Sequence, residues 1–386
     1  MRSFLMRGVS ASVMTLVLAH GALAFEATGN DIADAFLTRL EAGEVKVTSI
    51  GSVSEDGDQV TIEDVALEGS TPDEGKGSIG IITLTNGAVQ SDGTMTMDGL
   101  AFEEAYLEDK TGTAVSVASF TASEVVLPPA DGSKSFEDVA DYKSIEAEGI
   151  EITEGDSTKA RLESAYAAIN SREDNLPTSG ELTLSGLTMA VSEMDASSAK
   201  QLTDLGYETV TADLSTDFKW DPVTGVLDLQ KLDITAADMG GVSLAVQIGG
   251  FTKEVAEKLS AAKDNSEEAM AILQGLTVNS MRLRFDNGSI VDRLLDQQAK
   301  TAGSDRAAVV SQLKTGLPMM LALLQNPEFQ AKVATAATEF LDNPVSLQAD
   351  AKPSAPVSIA QIFGTAVMAP QGLPQILGID VTANKK

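Results

Sequence analysis

The chain has 386 residues, 43% of them hydrophobic, and a formal net charge of −30 at pH 7. This length suits one large domain or two ordinary ones. The charge repels nucleic acid and anionic lipid headgroups, and otherwise indicates a soluble acidic surface. The absence of cysteine excludes disulfides.

The first 24 residues have the pattern of a cleavable signal peptide. Arg2 and Arg7 form the basic region, an apolar run follows from 9 to 19, and a small-x-small site ends at Ala24. The run is too short for a membrane anchor, which needs about 20 apolar residues. We therefore predict cleavage after Ala24, no transmembrane anchor in the mature chain, and a periplasmic location, with secretion as the alternative.

The only histidine, His20, lies inside this predicted signal. The mature chain would then contain neither His nor Cys, the residues of most nucleophile–base pairs and of the usual zinc, copper and haem sites. We predict a protein that is not an enzyme, with no catalytic residues, no cofactor and no metal site.

The mature chain begins with a predicted helix, IADAFLTRLEAG, which Asn30-Asp31 caps and Gly43 ends. Residues 45–127 then alternate apolar and polar positions between frequent turns, which predicts a β-meander. A turn is expected at Asp56-Gly57, and a glycine-rich loop at Gly75–Gly80.

The next part, 128–175, is interpreted as a mixed connector. It contains a Pro-Pro loop, a predicted strand in SIEAEGIEIT, and a predicted helix, TKARLESAYAAIN, capped by Ser157. The strand ELTLSGLTMAV and the short helix SSAKQLTDLG follow.

The stretch Gly206–Gly250 predicts strand, turn, strand, turn, strand. In VLDLQKLDI the alternation slips by one residue at Lys231–Leu232, which is typical of a β-bulge. Turns are expected around Pro222 to Gly225 and at Gly240-Gly241. The order of elements repeats that of the N-terminal part, which predicts two similar β-units, about 31–127 and 178–250.

From Phe251 onward, helical patterns dominate, with Pro318 expected to kink or divide one helix and Asn326-Pro327 to begin another. Strands are predicted at VNSMRLRFDNG, VSLQADAKP and GIDVTAN. The predicted fold class is α+β, a curved antiparallel sheet of short meandering strands with a mainly helical C-terminal part packed on it. The predicted organisation is a signal at 1–24, a β-rich part at 25–250, and the helical part at 251–386.

Motifs of known chemistry are weak. The Ser-x-x-Lys triplets beginning at Ser197 and Ser260, and the triplet Lys314-Thr315-Gly316, match penicillin-binding proteins, but the last lies in a predicted helix instead of a strand. The acidic stretches 55–58 and 286–288 lack the spacing of a calcium loop and are better interpreted as turns. Arg282 and Arg284 are expected on the solvent face of a strand.

An apolar ligand site is one hypothesis for the methionine-rich helix. Met319, Met320 and Leu323, with Trp220 from the sheet, are predicted to line an interior cavity, because methionine adapts to varied apolar ligands. Ordinary packing of the helix against the sheet is the alternative interpretation.

The arrangement LGYETVTADLSTDFKWDPVTGVLDLQKLDITAADMGGVSLAVQIGG, then DNGSIVDRLLDQQAKTAG and NPVSLQADAKPSAPVSI, resembles an uncharacterised family of alphaproteobacterial periplasmic proteins. The style of the strands is similar to that of AsmA-like and YdgA-like envelope proteins. The chain departs from AsmA-like proteins in its helical tail and in lacking an N-terminal anchor. The resemblance implies an envelope role and brings no catalytic residues.

The function predicted from these observations is a soluble periplasmic envelope protein that binds a lipid or another apolar ligand. One alternative is an interaction scaffold or chaperone-like partner of envelope proteins, because a long meander leaves strand edges exposed. A carboxylate- and metal-dependent hydrolase is the third hypothesis. Nucleic acid is not an expected partner.

Overall fold

A computed structural model describes residues 25–42, 45–69, 75–131, 140–174, 176–262 and 265–385. The predicted signal, with His20, lies outside the described residues, as does the predicted helix stop Gly43. The chain divides into two compact units: unit 1 extends to Ile169 and includes Leu184–Leu187, and unit 2 comprises Asn170–Thr183 and everything from Thr188. Both contain helices and antiparallel strands, so the predicted α+β class is confirmed.

In its described residues, unit 1 is a meander of antiparallel strands packed against a helix. Its elements are α1 (Asp31–Glu41), β1 (Val45–Ser49), β2 (Ser52–Asp56), β3 (Gln59–Gly69), β4 (Lys76–Thr85), β5 (Ala88–Val89), β6 (Met95–Glu108), β7 (Thr113–Leu127) and β8 (Ser144–Glu154). Two further strands, β9 (Ser157–Glu173) and β10 (Leu176–Ala190), contain residues of both units. The meander predicted for 45–127 is confirmed.

Helix α1 begins at the predicted cap. The side chain of Asn30 accepts hydrogen bonds from the backbone N–H groups of Ile32 and Ala33, which satisfies two of the first free donors of the helix. Phe36 and Leu37 are buried against the strands, and their exposed fractions are 4% and 0%. Helix α1 therefore closes the apolar face of the unit 1 sheet.

Two local predictions in this unit are wrong. The segment TKARLESAYAAIN is not a helix but lies in β9, where buried Ala160 and Leu162 alternate with outward-facing Arg161 and Glu163. Pairing with β8 overrides the helix propensity of its Ala, Leu and Glu residues. The loop expected at Gly75–Gly80 is also absent, because β4 begins at Lys76 and pairs with β3 and β6.

Unit 2 combines strands with most of the helices. Its elements are α2 (Ala196–Asp204), β11 (Thr209–Asp221), β12 (Val226–Ala236), β13 (Gly240–Gly249), α3 (Lys253–Ala261), α4 (Ser266–Gln274), β14 (Thr277–Asn287), α5 (Ile290–Ala302), α6 (Arg306–Leu321), α7 (Pro327–Asp342), β15 (Ser346–Ala351), β16 (Val357–Ser358), α8 (Ile359–Met368), α9 (Leu373–Ile376) and β17 (Ile379–Ala383). Strands β11 to β15 pair antiparallel in chain order, β17 pairs with β15, and β16 pairs with the start of β14.

The predicted three-strand stretch is confirmed as β11, β12 and β13. The pairing of β12 with both neighbours shifts between Leu229 and Leu232, so the predicted bulge is present. The first turn uses the Asp221 carboxylate, which accepts backbone hydrogen bonds from the two residues at 223–224, and Gly225 at φ 71°. The second turn lies just before Gly240, which already belongs to β13.

The helical part packs on the sheet within unit 2. Helix α6 continues through Pro318 to Leu321 and ends in a 3₁₀ turn, Ala322–Leu324. Helix α7 then begins as predicted, with Asn326 as its cap and proline at its first position. Helix α7 contacts β17, and the ring of Phe340 lies edge-on to that of Phe285 on β14, 6.2 Å between centroids.

Candidate functional site

The sheet of unit 2 has one apolar and one polar face. Directly paired residues of antiparallel strands point to the same side, and every second residue along a strand returns to that side. We call the apolar side the open face. Its four rows contain Leu214, Ile234, Val242, Phe285, Leu347 and Ala383; Thr216, Leu232, Leu244, Leu283, Ala349 and Val381; Phe218, Leu229, Val246, Met281, Ala351 and Ile379; and Trp220, Leu227, Ile248, Val278 and Val357.

Two bulges keep this face continuous. In β12 the open-face residue is Leu232 on one side of the shift and Leu229 on the other, so its residue numbers change from even to odd. In β14 the open-face residues are Met281 and Val278, and the numbers change from odd to even. A one-residue slip without a bulge would turn the rest of each strand to the opposite face. The rows therefore stay apolar from one end of the sheet to the other.

The open face is accessible to solvent over β12 to β14. The exposed fractions are 47% for Ile234, 42% for Val242, 37% for Met281 and 41% for Leu283. Among the residues of the four rows, Ala383 and Val357 are buried, and both lie at the margin. The rows extend roughly 24 Å across six strands and 20 Å along them, from standard strand spacing and rise.

This exposure contrasts with the equivalent positions in unit 1, where paired Ile62 and Ile82 are both 0% exposed beneath α1. The short helix α2 occupies the corresponding sequence position in unit 2, before the three strands. It packs around buried Tyr207 and Met239 at the turn end of the strands. The part of the open face on β11 to β13 thus lacks a helical cover equivalent to α1, whereas α7 packs on the β14 to β17 side, where Phe340 contacts Phe285.

The opposite face carries the polar residues of the same strands. Arg282 donates from Nε to Asp350 at 3.0 Å, and Arg284 donates to Asp286 from both Nε and Nη2. The prediction that these arginines lie on the solvent face of a strand is confirmed. Charged side chains thus lie on one side of β14, and Met281 and Leu283 on the other.

Asp350 is the most interconnected carboxylate of the polar face. Burial by itself would raise its pKa, but hydrogen bonds from Gln348 and Arg282 and the charge of Lys352 outweigh burial and hold the pKa below its ordinary value of 3.8. A depressed pKa means that the ionised carboxylate stabilises the fold above the unfolded pKa, and that this contribution is lost as the pH falls through the folded value.

We therefore expect unit 2 to lose stability below about pH 4, and Asp350→Asn to lower its stability at pH 7 more than at pH 3. Urea titrations at the two pH values, followed through Trp220 fluorescence, measure this difference. An equal loss at both would show that Asp350 acts through its shape and not its charge.

The residues predicted to line a cavity occupy two different environments. Trp220 lies in the outermost row of the open face, its indole N–H donates to the carbonyl of Phe251, and the two rings are 5.5 Å apart. Met319 and Met320, at the end of α6, are 79% and 63% exposed. The interior position expected for them is therefore wrong. Leu323 lies in the 3₁₀ turn, and its side chain lies outside the described part.

The open face itself was missed in the sequence. Leu232, Leu244 and Leu283 occupy alternating positions that predict strands, but alternation is the same for a covered and an uncovered face. The helix before the second β-unit gives no clear signal either, since α2 spans nine residues and α1 eleven.

The catalytic motifs do not assemble. Lys200 forms an ion pair with Asp204 one turn along α2, and Lys314, inside α6, pairs with Asp342. Lys263 lies outside the described residues. The acidic stretch 286–288 ends β14, where the Asn287 amide donates to Asp292 and to a backbone carbonyl.

Two findings concern metals and membranes. In the part of the chain that the structure covers, no three His, Cys, Asp or Glu side chains are arranged to hold a metal ion. Among the described helices, none combines the length and the apolar character needed to cross a bilayer.

Residues 233–384 match a protein family described as "Uncharacterized protein". The matched span covers less than half of the chain and includes β13 to β17, which supply much of the open face. No curated protein matches the chain.

Proposed function

We propose that this protein is a non-enzymatic carrier that binds a lipid, or another ligand with a long hydrocarbon chain, on the open face. The observation that supports it is the half-exposed apolar surface of four rows, with Ile234, Val242 and Leu283 each more than 40% exposed. Contiguous exposed apolar patches of several hundred Å² are uncommon on soluble monomers and mark binding surfaces.

The composition of the face favours hydrocarbon over a protein partner. Protein interfaces are enriched in Tyr, Trp and Arg and form about one hydrogen bond per 100–200 Å². The open face is made of aliphatic residues, alanine and a few aromatic residues, and its hydrogen-bonding side chains are Thr216 and Trp220. An acyl chain needs no directional partner, and non-directional burial stabilises it in proportion to area.

We place this activity in the periplasm, after removal of residues 1–24, because an acidic and soluble carrier can shield a chain from water between membranes. The scaffold alternative has no comparable support, since the exposed residues of the open face are apolar instead of mixed.

Trp220 provides the test, because it is the only tryptophan of the chain and lies in the outermost row of the open face. We expect a neutral, bromine-substituted monoacylglycerol to quench its fluorescence in a saturable titration. Leu283→Gln places an amide in the middle of the face and should weaken binding by about tenfold, the effect of roughly 1.4 kcal/mol of lost apolar contact.

Arg282→Gln is the matched control. It introduces the same side chain at the neighbouring residue of β14, but on the polar face, and should leave the titration unchanged. Equal effects of the two variants, or quenching that never saturates, would contradict the proposal. Native mass spectrometry of protein from its own host should also show an added mass that extracts into solvent, whereas a co-purifying protein would favour the scaffold.

A further inference from the structure

Two segments of unit 2 carry exposed apolar side chains and no charge. Residues 353–379 contain no Asp, Glu, Lys, Arg or His, and neither do residues 315–327. The first is the longest such stretch of the chain. In the chain as a whole, 22% of the residues are charged. An uncharged stretch of this length is therefore a local departure from an otherwise acidic protein.

The most exposed large apolar side chains of unit 2 lie largely in these two segments. At the end of α6, Met319 is 79% exposed, and on α8 the exposed fractions are 55% for Phe363, 84% for Val367 and 86% for Met368. These values exceed those of the open face. With Met320 at 63%, these five residues form what we call the neutral patch.

A hydrogen bond holds the two segments together. The side-chain amide of Asn326, just after the end of α6, donates to the carbonyl of Gln371, just after the end of α8, at 3.2 Å. Asn326 is also the cap of α7 and accepts from the backbone N–H of Phe329. The C-terminal ends of α6 and α8, which carry the exposed methionines, are thus linked through the N-terminal cap of α7.

We infer that the neutral patch is a membrane-docking surface that inserts its side chains into the interface of a bilayer of zwitterionic lipids. Apolar side chains on a helix surface enter the boundary between headgroups and acyl chains. Cation-rich docking surfaces select anionic lipids, but this patch has no cation, and the net charge of −30 repels anionic headgroups. A zwitterionic surface avoids that repulsion and accepts the apolar side chains.

A protein partner fits the patch less well. Protein interfaces surround an apolar centre with a polar rim, and they are enriched in aromatic residues, Met and Arg. Here Phe363 is the single aromatic member, and no ionisable residue lies within either segment. The inference goes beyond the proposed ligand binding and does not depend on it, because the patch and the open face consist of different residues.

Vesicle flotation tests the inference. We expect the full mature chain to float with phosphatidylcholine vesicles, and the double variant Val367→Glu, Met368→Glu to bind at least about tenfold more weakly, because two carboxylates would enter the interface. Val223→Glu is the matched control, since Val223 is 76% exposed but lies in the turn between β11 and β12, and it should bind as the parent does.

Binding to vesicles that contain anionic lipid provides a second test, in which weaker binding is expected. Adding phosphatidylglycerol should weaken binding at low salt, and raising the salt should restore it by screening the repulsion. The inference would be overturned if the parent failed to bind phosphatidylcholine vesicles, or if the Val223→Glu control lost binding equally. A crosslinker attached at position 368 would also overturn it by reacting with protein instead of lipid. Both variants should keep the parent's circular dichroism, because the substituted side chains are exposed.

The proposed ligand binding and the proposed membrane docking can be rejected independently. The double variant should still show saturable quenching of Trp220 by the monoacylglycerol, and Leu283→Gln should still float with vesicles. Loss of quenching with intact flotation would therefore reject the carrier alone.

Discussion

Replacing Leu37 by alanine should lower the free energy of unfolding of unit 1 by about 2–5 kcal/mol, whereas Leu283→Ala in unit 2 should lower stability by about 1 kcal/mol or less. Leu37 lies on the buried face of α1 and is 0% exposed, so its truncation leaves a cavity. Leu283 is 41% exposed on the open face, so water already contacts much of its surface and no cavity forms.

Hydrogen exchange measured on peptides during a urea titration separates the two effects, because it follows α1 and β14 independently. Leu37→Ala should shift the exchange midpoint of α1, β3 and β4. A loss of several kcal/mol for Leu283→Ala would show that the open face is covered in solution, and would remove the basis of the proposed ligand site.

The strands were predictable because their signal is local. In Gly206–Gly250, alternation and turn residues predicted three strands and even the slip near Lys231, and the structure confirms each. The helix caps at Asn30 and Asn326 were equally local, since each side chain bonds to N–H groups two or three residues away. Such features depend little on the rest of the chain.

The error in β9 shows the limit of local signals. Ala160, Ala165, Ala167 and Ala168 favour a helix, but paired residues of β8 fix the segment as a strand. The exposure of these side chains could not be predicted from the sequence either. Met319 is of a residue type common in cores, and Leu283 lies in the alternating pattern of a strand with one buried face. Whether a helix covers such residues depends on contacts between distant segments, which composition and periodicity do not encode.

Arg39 is another feature that only the tertiary structure reveals. On the sequence it is a basic residue near the end of α1, where cations favour the helix dipole, but it is 6% exposed. Its guanidinium donates to the carbonyls of Ala35, Gly93 and Pro128 at 2.6, 2.7 and 2.9 Å. Two of these acceptors are 54 and 89 residues away in the chain, so Arg39 fixes α1 to two loops.

Burial lowers the pKa of Arg39, yet a guanidinium stays charged throughout the working pH range. Arg39→Ala should therefore destabilise unit 1 by about 3–5 kcal/mol with little dependence on pH between 5 and 9, because hydrogen bonds from a charged donor contribute about 1.5–3 kcal/mol each and the buried carbonyls would lose their partner. Thermal and urea unfolding across this range measure both parts of the prediction.

Two further substitutions separate the contributions of Arg39. Arg39→Met retains an apolar stem without donors and should be nearly as damaging as alanine if the hydrogen bonds dominate. Arg39→Lys keeps the charge but not the planar fork, and should recover only part of the stability, because one ammonium cannot match the directions of all three carbonyls. Full recovery with methionine would show instead that packing of the stem, and not the link between α1 and the loops at Gly93 and Pro128, accounts for the effect. If the link does dominate, weakening it should also raise hydrogen exchange in α1, which closes the unit 1 core, while leaving the Trp220 titration of the open face unchanged.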